Sequence, residues 1–484
     1  MTLHRIISLL LPLVVCSGLA MADGPGPGEL ERRGIVAMKT GAYQQAEDIF
    51  AELVEARPES FVGHYNLAAA HSMQGELEPA IDAMSKAIGL GFSDRLQLLR
   101  DRDLEQLRST EFFDELMEQW GAVIEQRRLS DVTALKGLIR KGLEARTDTD
   151  YRLEMLSAHD ETATDQAHDE LHMIADWAQD ELFSELKTFD LKDSPWVIVV
   201  LPDRTGFSRW AVETFGPGVR GSISGVGGAY EHMERRLVAQ DLGATLRHEF
   251  IHVLHWRDMN RLGQVHAPWV QEGLASLIED YDLQDDSPVP VASWRTNIVK
   301  RLLDARRLPS IEELTWVSME AFTGNRPLSQ YAQARALMLW LYETDRLRPF
   351  YAHYRDTIRD DPTGYQSILA VTGLEPDGLE AEYHDWVRGL KRVPETGGDL
   401  SATLGIEIEN GTGDGVVVKW LPSGARARTG LRLGSVITHV NGRPTRDLFE
   451  LIRVLGDYRS GETVTLHHRR GTVHATSEVR LLGR

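Results

Sequence analysis

Two histidines and a glutamate within five residues are the groups of this sequence best suited to chemistry. They lie in the stretch RHEFIH, inside an apolar run over residues 237–256 that has the spacing of a helix. Positions four apart lie on one helix face, about 6 Å from each other, so His248 and His252 can bind one metal ion together. Glu249 is displaced by about 100° around the helix axis, where it can reach water at the metal without ligating it.

A third ligand is required, because a catalytic zinc site takes three protein ligands and leaves a fourth position for water. Glu272 follows His252 by 20 residues, the length that a loop and a second, antiparallel helix need. Pro268 marks the start of that helix, and the small Gly273 and Ala275 would let the two helices approach closely. We therefore predict one zinc ion bound by the two histidines and Glu272. The alternative is that Glu272 only caps a helix.

This donor set predicts metal-assisted hydrolysis with Glu249 as the general base. Zinc lowers the pKa of water, Glu249 takes the proton during attack on a peptide carbonyl, and it then protonates the leaving amine. The oxyanion needs the metal and at least one further donor. Two other histidines are weaker candidates. We expect His255 at the surface or beside the ligands, and His266 in a loop where it could contact substrate.

The HExxH motif followed by WVQEGLAS resembles the gluzincin metallopeptidases, the clan that includes thermolysin and aminopeptidase N. The pattern W-x-x-E-G-x-A is closer to the aminopeptidase N side. This resemblance implies a thermolysin/aminopeptidase-like metallopeptidase domain over residues 150–392. It carries the ligand role onto His248, His252 and Glu272 and the base role onto Glu249.

The segment YAQARALMLWLYE resembles the helix that carries the tyrosine of aminopeptidase N. That resemblance would make Tyr331 the phenolic donor to the oxyanion, and the alternative is a core tyrosine at a helix start. No clear copy is found of the G-x-M-E-N segment that holds a substrate's free amine. Glu231 and Glu234 of GVGGAYEHME do not fit that pattern, which favours an endopeptidase.

Residues 400–484 contain short strands and one predicted helix from Asp447 on, and they resemble a PDZ domain of the bacterial protease type. The sequence GVVVKWLPSGARARTGLRLGSVITHVNGRP carries this resemblance. It implies that Leu404, Gly405 and Ile406 form a loop whose backbone N–H groups receive a peptide C-terminus. Such domains also serve as packing modules, and that alternative stays open.

Residues 27–120 contain an internal repeat with a period of 34 residues. Gly41, Tyr43, Ala46 and Phe50 recur as Gly75, Leu77, Ala80 and Met84. This pattern resembles tetratricopeptide repeats, which implies paired helices and a surface for a protein partner. An ordinary helical bundle is the alternative. Residues 121–149 are charged and are predicted to be a helical connector.

The N-terminus predicts export. Arg5 precedes an apolar stretch over residues 6–15, and the small residues Ala20 and Ala22 predict cleavage of a signal peptide over residues 1–22. A periplasmic or secreted bacterial protein is expected. An uncleaved membrane anchor or a lipoprotein at Cys16 are the alternatives. Cys16 is the only cysteine, so the mature chain would have neither disulfides nor a cysteine nucleophile.

The length and composition predict a folded, multidomain protein, and the order of its predicted strands and helices makes it α+β. The chain has 484 residues, and its formal net charge of −20 disfavours nucleic acid and anionic lipid as partners. Past the N-terminus no run of 18 apolar residues occurs, so no stable membrane insertion is expected after cleavage. Strands are predicted over residues 150–157 and 194–202, a helix over 164–186, and a strand or edge hairpin over 222–240.

These features predict an exported zinc metalloendopeptidase that cleaves protein or peptide substrates recruited by the flanking repeat and PDZ domains. Two other functions stay open. A non-catalytic periplasmic scaffold would bind proteins through the same two domains, although it would have no need of Glu249. An aminopeptidase would require a free substrate amine.

Overall fold

The structure is a computed structural model that describes residues 26–138, 143–187, 196–215, 227–231, 235–324, 327–411 and 413–483. The predicted signal peptide over residues 1–22 lies outside the described residues. The described residues form two compact units. The first unit contains residues 26–138 and three short pieces, at 196–197, 231 and 235–236. The second unit contains the other described residues from 143 on.

The first unit is helical. Its helices are α1 (Pro27–Lys39), α2 (Tyr43–Ala56), α3 (Phe61–Gln74), α4 (Leu77–Gly89), α5 (Arg95–Arg100), α6 (Glu105–Arg108), α7 (Glu111–Glu118) and α8 (Trp120–Leu138). The repeated positions are buried in the same way. No surface is exposed at the small residues Ala46 and Ala80 or at the large residues Phe50 and Met84. Gly75 ends α3 in the left-handed conformation that glycine adopts without strain. The predicted helical repeat region is confirmed.

The prediction of a helical connector through residue 149 is wrong at its end. Helix α8 ends at Leu138, and β1 (Glu144–Asp148) pairs antiparallel with β2 (Leu153–Ser157). The charged side chains of β1 suggested a helix, but its backbone hydrogen bonds go to a neighbouring strand. A partner strand can override local preference in this way.

A five-stranded sheet has the order β1-β2-β3-β5-β4, with β3 (Trp196–Val200), β4 (Gly228–Glu231) and β5 (Arg236–Ala239). Every residue of β3 is buried, as its apolar run predicts. Strands β4 and β5 are neighbours at one end of the sheet, where the sequence predicts an edge hairpin. Helices α9 (Glu161–Glu181) and α10 (Arg204–Phe215) lie between the strands in the chain.

Helices dominate the chain after the sheet. They are α11 (Ala244–Leu262), α12 (Pro268–Leu277), α13 (Trp294–Asp304), α14 (Ile311–Thr315), α15 (Met319–Gly324), α16 (Pro327–Glu343), α17 (Leu347–Thr357), α18 (Tyr365–Thr372) and α19 (Pro376–Gly389). A hairpin of β6 (Tyr281–Gln284) and β7 (Ser287–Pro290) separates α12 from α13. Gly273 was expected to bring α12 close to α11. It faces α16 instead, where an added Cβ would lie 2.9 Å from Met338 Cγ and 3.0 Å from Ala334 O.

The C-terminal part is mostly β-structure around one apolar core. It contains β8 (Ala402–Thr403), β9 (Glu407–Asn410), β10 (Val416–Trp420), α20 (Ala425–Thr429), β11 (Val436–Val440), β12 (Arg443–Pro444), α21 (Leu448–Gly456), β13 (Thr463–Arg470), β14 (Val473–Arg480) and β15 (Leu482–Gly483). The main sheet has the order β14-β13-β11-β10-β9, so β9 lies at its edge. The expectation of a single helix is wrong, because α20 is present in addition to α21.

The helices of the described residues are either too short or too polar to cross a membrane.

Candidate metal centre

Helix α11 brings the two histidines together, although it begins at Ala244 and not at residue 237 as predicted, because residues 236–239 form strand β5. Its apolar face is buried, and Gly263 ends it in the left-handed conformation. The Nε2 atoms of His248 and His252 lie 3.2 Å apart. The i, i+4 spacing therefore places both ring nitrogens at one point beside the helix, as predicted.

Helix α12 brings a carboxylate to the same point. Pro268 begins this helix, where its missing N–H costs no hydrogen bond. Glu272 Oε2 lies 3.3 Å from His248 Nε2 and 3.4 Å from His252 Nε2. Glu272 does not act as the cap of the helix, because it lies at the fifth helical position. The structure thus assembles the three predicted ligands from two helices.

The three ligand atoms fit a divalent cation. Zinc ligands about 2.1 Å from a tetrahedral ion lie roughly 3.4 Å from one another, which matches the three separations. Glu272 Oε2 is buried and accepts no hydrogen bond from the described residues. Burial by itself would raise the pKa of Glu272, but His252 and His248 lower it below its usual value. A buried carboxylate facing two imidazole nitrogens is a donor set suited to a cation such as Zn²⁺.

A second carboxylate orients the first histidine, and sequence analysis did not identify it. Glu279 Oε1 accepts a hydrogen bond from His248 Nδ1 over 2.9 Å. Arg295 holds Glu279 through Nε to Oε2 at 2.7 Å and Nη2 to Oε1 at 3.0 Å. Burial opposes ionisation of Glu279, but Arg295 and His248 lower its pKa to about 2. A carboxylate on the far nitrogen of a metal-binding histidine sets its tautomer and ring orientation.

Glu249 lies beside the ligands, against a strand that leaves room for it. A Cβ added to Gly228 of β4 would lie 2.6 Å from Glu249 Cγ, so only glycine allows this approach. Burial raises the pKa of Glu249, as do Glu272 and Glu279, while the histidines act in the opposite direction. A raised pKa suits a carboxylate that must accept and return a proton near neutral pH.

Two tyrosines border the site. The ring of Tyr331, on α16, has its centroid 6.3 Å from that of His248. Burial and the nearby Glu272 and Glu249 raise the pKa of Tyr331, so its phenol stays protonated. Tyr230, which was not predicted, stacks on His252 with 5.1 Å between ring centroids. Its position in the Gly-rich segment GVGGAYEHME was the available signal.

His255 and His266 lie next to each other in the interior, His255 on α11 and His266 in the loop before α12. His255 is fully buried rather than at the surface, and its Nε2 lies 2.7 Å from His266 Nδ1. Burial, together with His252, lowers the pKa of His255 to about 3. His266 is buried and packed against Tyr351 and Tyr354, which does not favour contact with a substrate. The two form a neutral pair inside the protein.

The predicted carboxylate-binding loop precedes edge strand β9. Leu404 is buried, Gly405 has a φ of +67°, and Ile406 is half-buried. Arg428 Nη2 donates to the carbonyl of Leu404 over 2.6 Å, and Thr403 Oγ1 accepts from the Gly405 N–H over 3.1 Å. The loop thus has a positive side chain next to it.

Comparison with known proteins defines the class of the C-terminal part. Residues 402–481 match the family model of the PDZ domain, which confirms that prediction. A chloroplast protein of Arabidopsis thaliana is 28% identical over 114 residues, which are 23% of this chain and 34% of that protein. The chain therefore spans about a third of the length of this relative.

A solved structure of an aminopeptidase N family protein from Idiomarina loihiensis also aligns with this chain. The match covers 70% of this chain and 67% of that one, with 14% sequence identity and a TM-score of 0.30. A TM-score of this size does not establish a shared fold.

Proposed function

We propose that the protein is a zinc-dependent metallopeptidase that binds one zinc ion through His248, His252 and Glu272. The observation that supports this most directly is the triangle of three ligand atoms 3.2–3.4 Å apart, with Glu249 beside it. A structural zinc site is usually closed by four protein ligands. In the described residues this group has three, which leaves a position for water.

The chain's own residues supply the proton transfers. When bound, zinc would act as a Lewis acid toward the scissile carbonyl and make water a better nucleophile at neutral pH. Glu249, whose pKa is raised by burial, takes the proton of the attacking water and delivers it to the leaving nitrogen. Tyr331, whose phenol is held protonated, donates a hydrogen bond to the oxyanion.

An extended peptide is the proposed substrate. Among the described residues strand β4 is at the end of its sheet, where an extended peptide could add as a further strand. Gly228 of this strand approaches Glu249 directly. Glu231 does not belong to the amine-binding pattern of the aminopeptidases, and its Oε2 pairs with Arg236 at 2.7 Å. Internal bonds are therefore the proposed points of cleavage, and the protein is an endopeptidase rather than an aminopeptidase.

The flanking domains are proposed to recruit substrates after export through the signal at residues 1–22. The helical repeats would act as tetratricopeptide-type repeats that bind a protein partner. The PDZ domain would receive a peptide C-terminus at the loop of Leu404, Gly405 and Ile406, where Arg428 adds positive charge. The edge of β9 would pair with the peptide backbone.

Glu249→Gln tests the proposal because it removes the base and keeps the shape of the side chain. We expect peptide hydrolysis to fall by about 100-fold or more while zinc content stays at one ion per chain. Zinc would be measured by elemental analysis of the sample used for turnover. Glu312→Gln, an exposed change of the same type on α14, should leave both quantities unchanged.

Substrate choice is tested with peptides whose amino terminus is blocked or free. An endopeptidase cleaves both at internal bonds, and an aminopeptidase cleaves only the free peptide, from its end. A wild-type protein that binds zinc and cleaves neither peptides nor denatured proteins would instead be a scaffold.

A further inference from the structure

A buried arginine joins the metal site to the PDZ domain. Arg247 comes directly before His248 on α11 and is only 2% exposed. Its Nη2 donates to the backbone carbonyl of Glu279 over 2.6 Å and also to Glu450 of the PDZ helix α21. Glu279 is the residue that orients His248. The guanidinium of Arg247 thus binds both the backbone of Glu279 and the side chain of Glu450 in the PDZ domain.

The arginine belongs to a closed network of buried charges. Arg247 Nη1 donates to Glu170 Oε1 over 3.1 Å, and Tyr281 donates to the same oxygen over 2.6 Å. Arg446, from the PDZ domain, donates to Glu170, and its backbone N–H donates to Glu450 Oε2 over 2.6 Å. Two arginines and two glutamates therefore balance one another away from solvent. Loss of one member leaves its partners buried with one opposite charge fewer, which is costly.

A second contact reaches the same residue through aromatic rings. Phe449, the neighbour of Glu450 on α21, stacks on Trp294 with 5.5 Å between centroids. The guanidinium of Arg295 lies over the ring of Trp294, 4.7 Å from its centroid. Arg295 in turn holds both carboxylate oxygens of Glu279.

We propose that the PDZ helix α21 positions the metal ligand His248 through Glu279. Phe449 supports the side chain of Glu279 by way of Trp294 and Arg295. Glu450 supports its backbone by way of Arg247. The PDZ domain is then a working part of the metal centre as well as a module that recruits peptides. This inference rests on the proposed zinc site.

The expected effect is a loss of metal affinity. Removing the groups that orient a metal ligand typically lowers affinity by about 10–100-fold. The full-length variant Phe449→Ala/Glu450→Gln should bind zinc about 10-fold or more weakly than wild type, as measured by competition with a chelator. The visible spectrum of the cobalt-substituted variant should also shift, because it reports the arrangement of the ligands.

A control variant and a double-mutant cycle distinguish a positioning role of α21 from general damage to the PDZ domain. Trp420→Ala/Glu478→Gln removes an exposed aromatic ring and an exposed charge of the same domain outside α21 and β9, and it should bind zinc as wild type does. In a Glu279→Gln background the α21 change should have little further effect, because its route passes through Glu279. Phe449→Leu, at a side chain that is 45% exposed, provides a mild variant if the double change fails to fold.

Zinc affinity and a cobalt spectrum equal to wild type in the folded α21 variants would overturn the inference. Fully additive losses in the Glu279→Gln background would overturn it too. Neither readout requires hydrolysis. A wild-type protein that binds zinc tightly but cleaves no peptide would refute the proposed function and leave this inference to be judged on the affinities.

Discussion

The repeated positions of the helical unit and the surroundings of the metal site bury different kinds of side chain. In the first, the repeated interior positions are apolar, with a small and a large residue alternating as in Ala46 and Phe50. In the second, charges are buried next to the metal ligands, among them Arg247 and Glu170. An apolar interior needs shape and volume only, whereas each buried charge also needs a partner at hydrogen-bonding distance. The comparison predicts that changes of equal size have unequal effects in the two units.

The largest expected difference comes from Glu272→Gln. The change keeps the shape of the side chain but removes the negative charge from the ligand triangle. We expect zinc affinity to fall by at least about 100-fold and hydrolysis to be lost. Loss of a residue that only orients a metal ligand lowers affinity by up to about 100-fold, and loss of a ligand should cost no less. The matched change Glu52→Gln, on the exposed face of α2, should alter neither. Undiminished zinc binding by Glu272→Gln would show that Glu272 is not a ligand.

An intermediate difference is expected in stability. Arg247→Met removes one of the two arginines that pair with the buried carboxylates of Glu170 and Glu450, which we expect to lower the free energy of unfolding by about 3–5 kcal/mol. Phe50→Leu in the repeat unit keeps an apolar side chain and should cost less than about 1.5 kcal/mol. Chemical denaturation of each full-length variant, analysed separately for each unfolding transition, measures the two losses in unfolding free energy. Equal losses would contradict the distinction between the two interiors.

The smallest effect concerns the start of the PDZ helix. Asp447 caps α21 by accepting the N–H of Glu450 over 2.8 Å, and burial together with the charge of Glu450 raises its pKa to about 7. The unfolded value is about 3.9, so the folded state holds the proton more tightly. Stability from this group is therefore present at pH 4 and is lost as pH rises toward 7 and beyond.

Asp447→Asn keeps the cap and cannot ionise, so it tests this pH dependence. The variant should melt a few degrees higher than wild type at pH 8 and at nearly the same temperature at pH 4, as followed by circular dichroism. The same gain at both pH values would mean that ionisation of Asp447 is not its source.

Much of the candidate site was predictable because its signals are local. Helix periodicity places His248 and His252 on one face because they are four residues apart. The proline before Glu272 marks the start of the second helix. The structure brings the side chains of His248, His252 and Glu272 together. Tyr331 also lies at the site, and its role as a donor stays a prediction. The PDZ domain and the repeats were recognisable for the same reason, since their patterns recur over short distances along the chain.

The sequence by itself determined which groups can do chemistry and which helices carry them, because helical spacing and turn residues act between near neighbours. Only the tertiary structure decided what holds those groups in place. Arg247 and Glu450 are 203 positions apart, and no periodicity links them. The same holds for Glu279 with Arg295, and for strand β1, whose partner overrode its charged composition. Such contacts depend on which surfaces meet after folding, and a single sequence does not encode that choice in any local pattern.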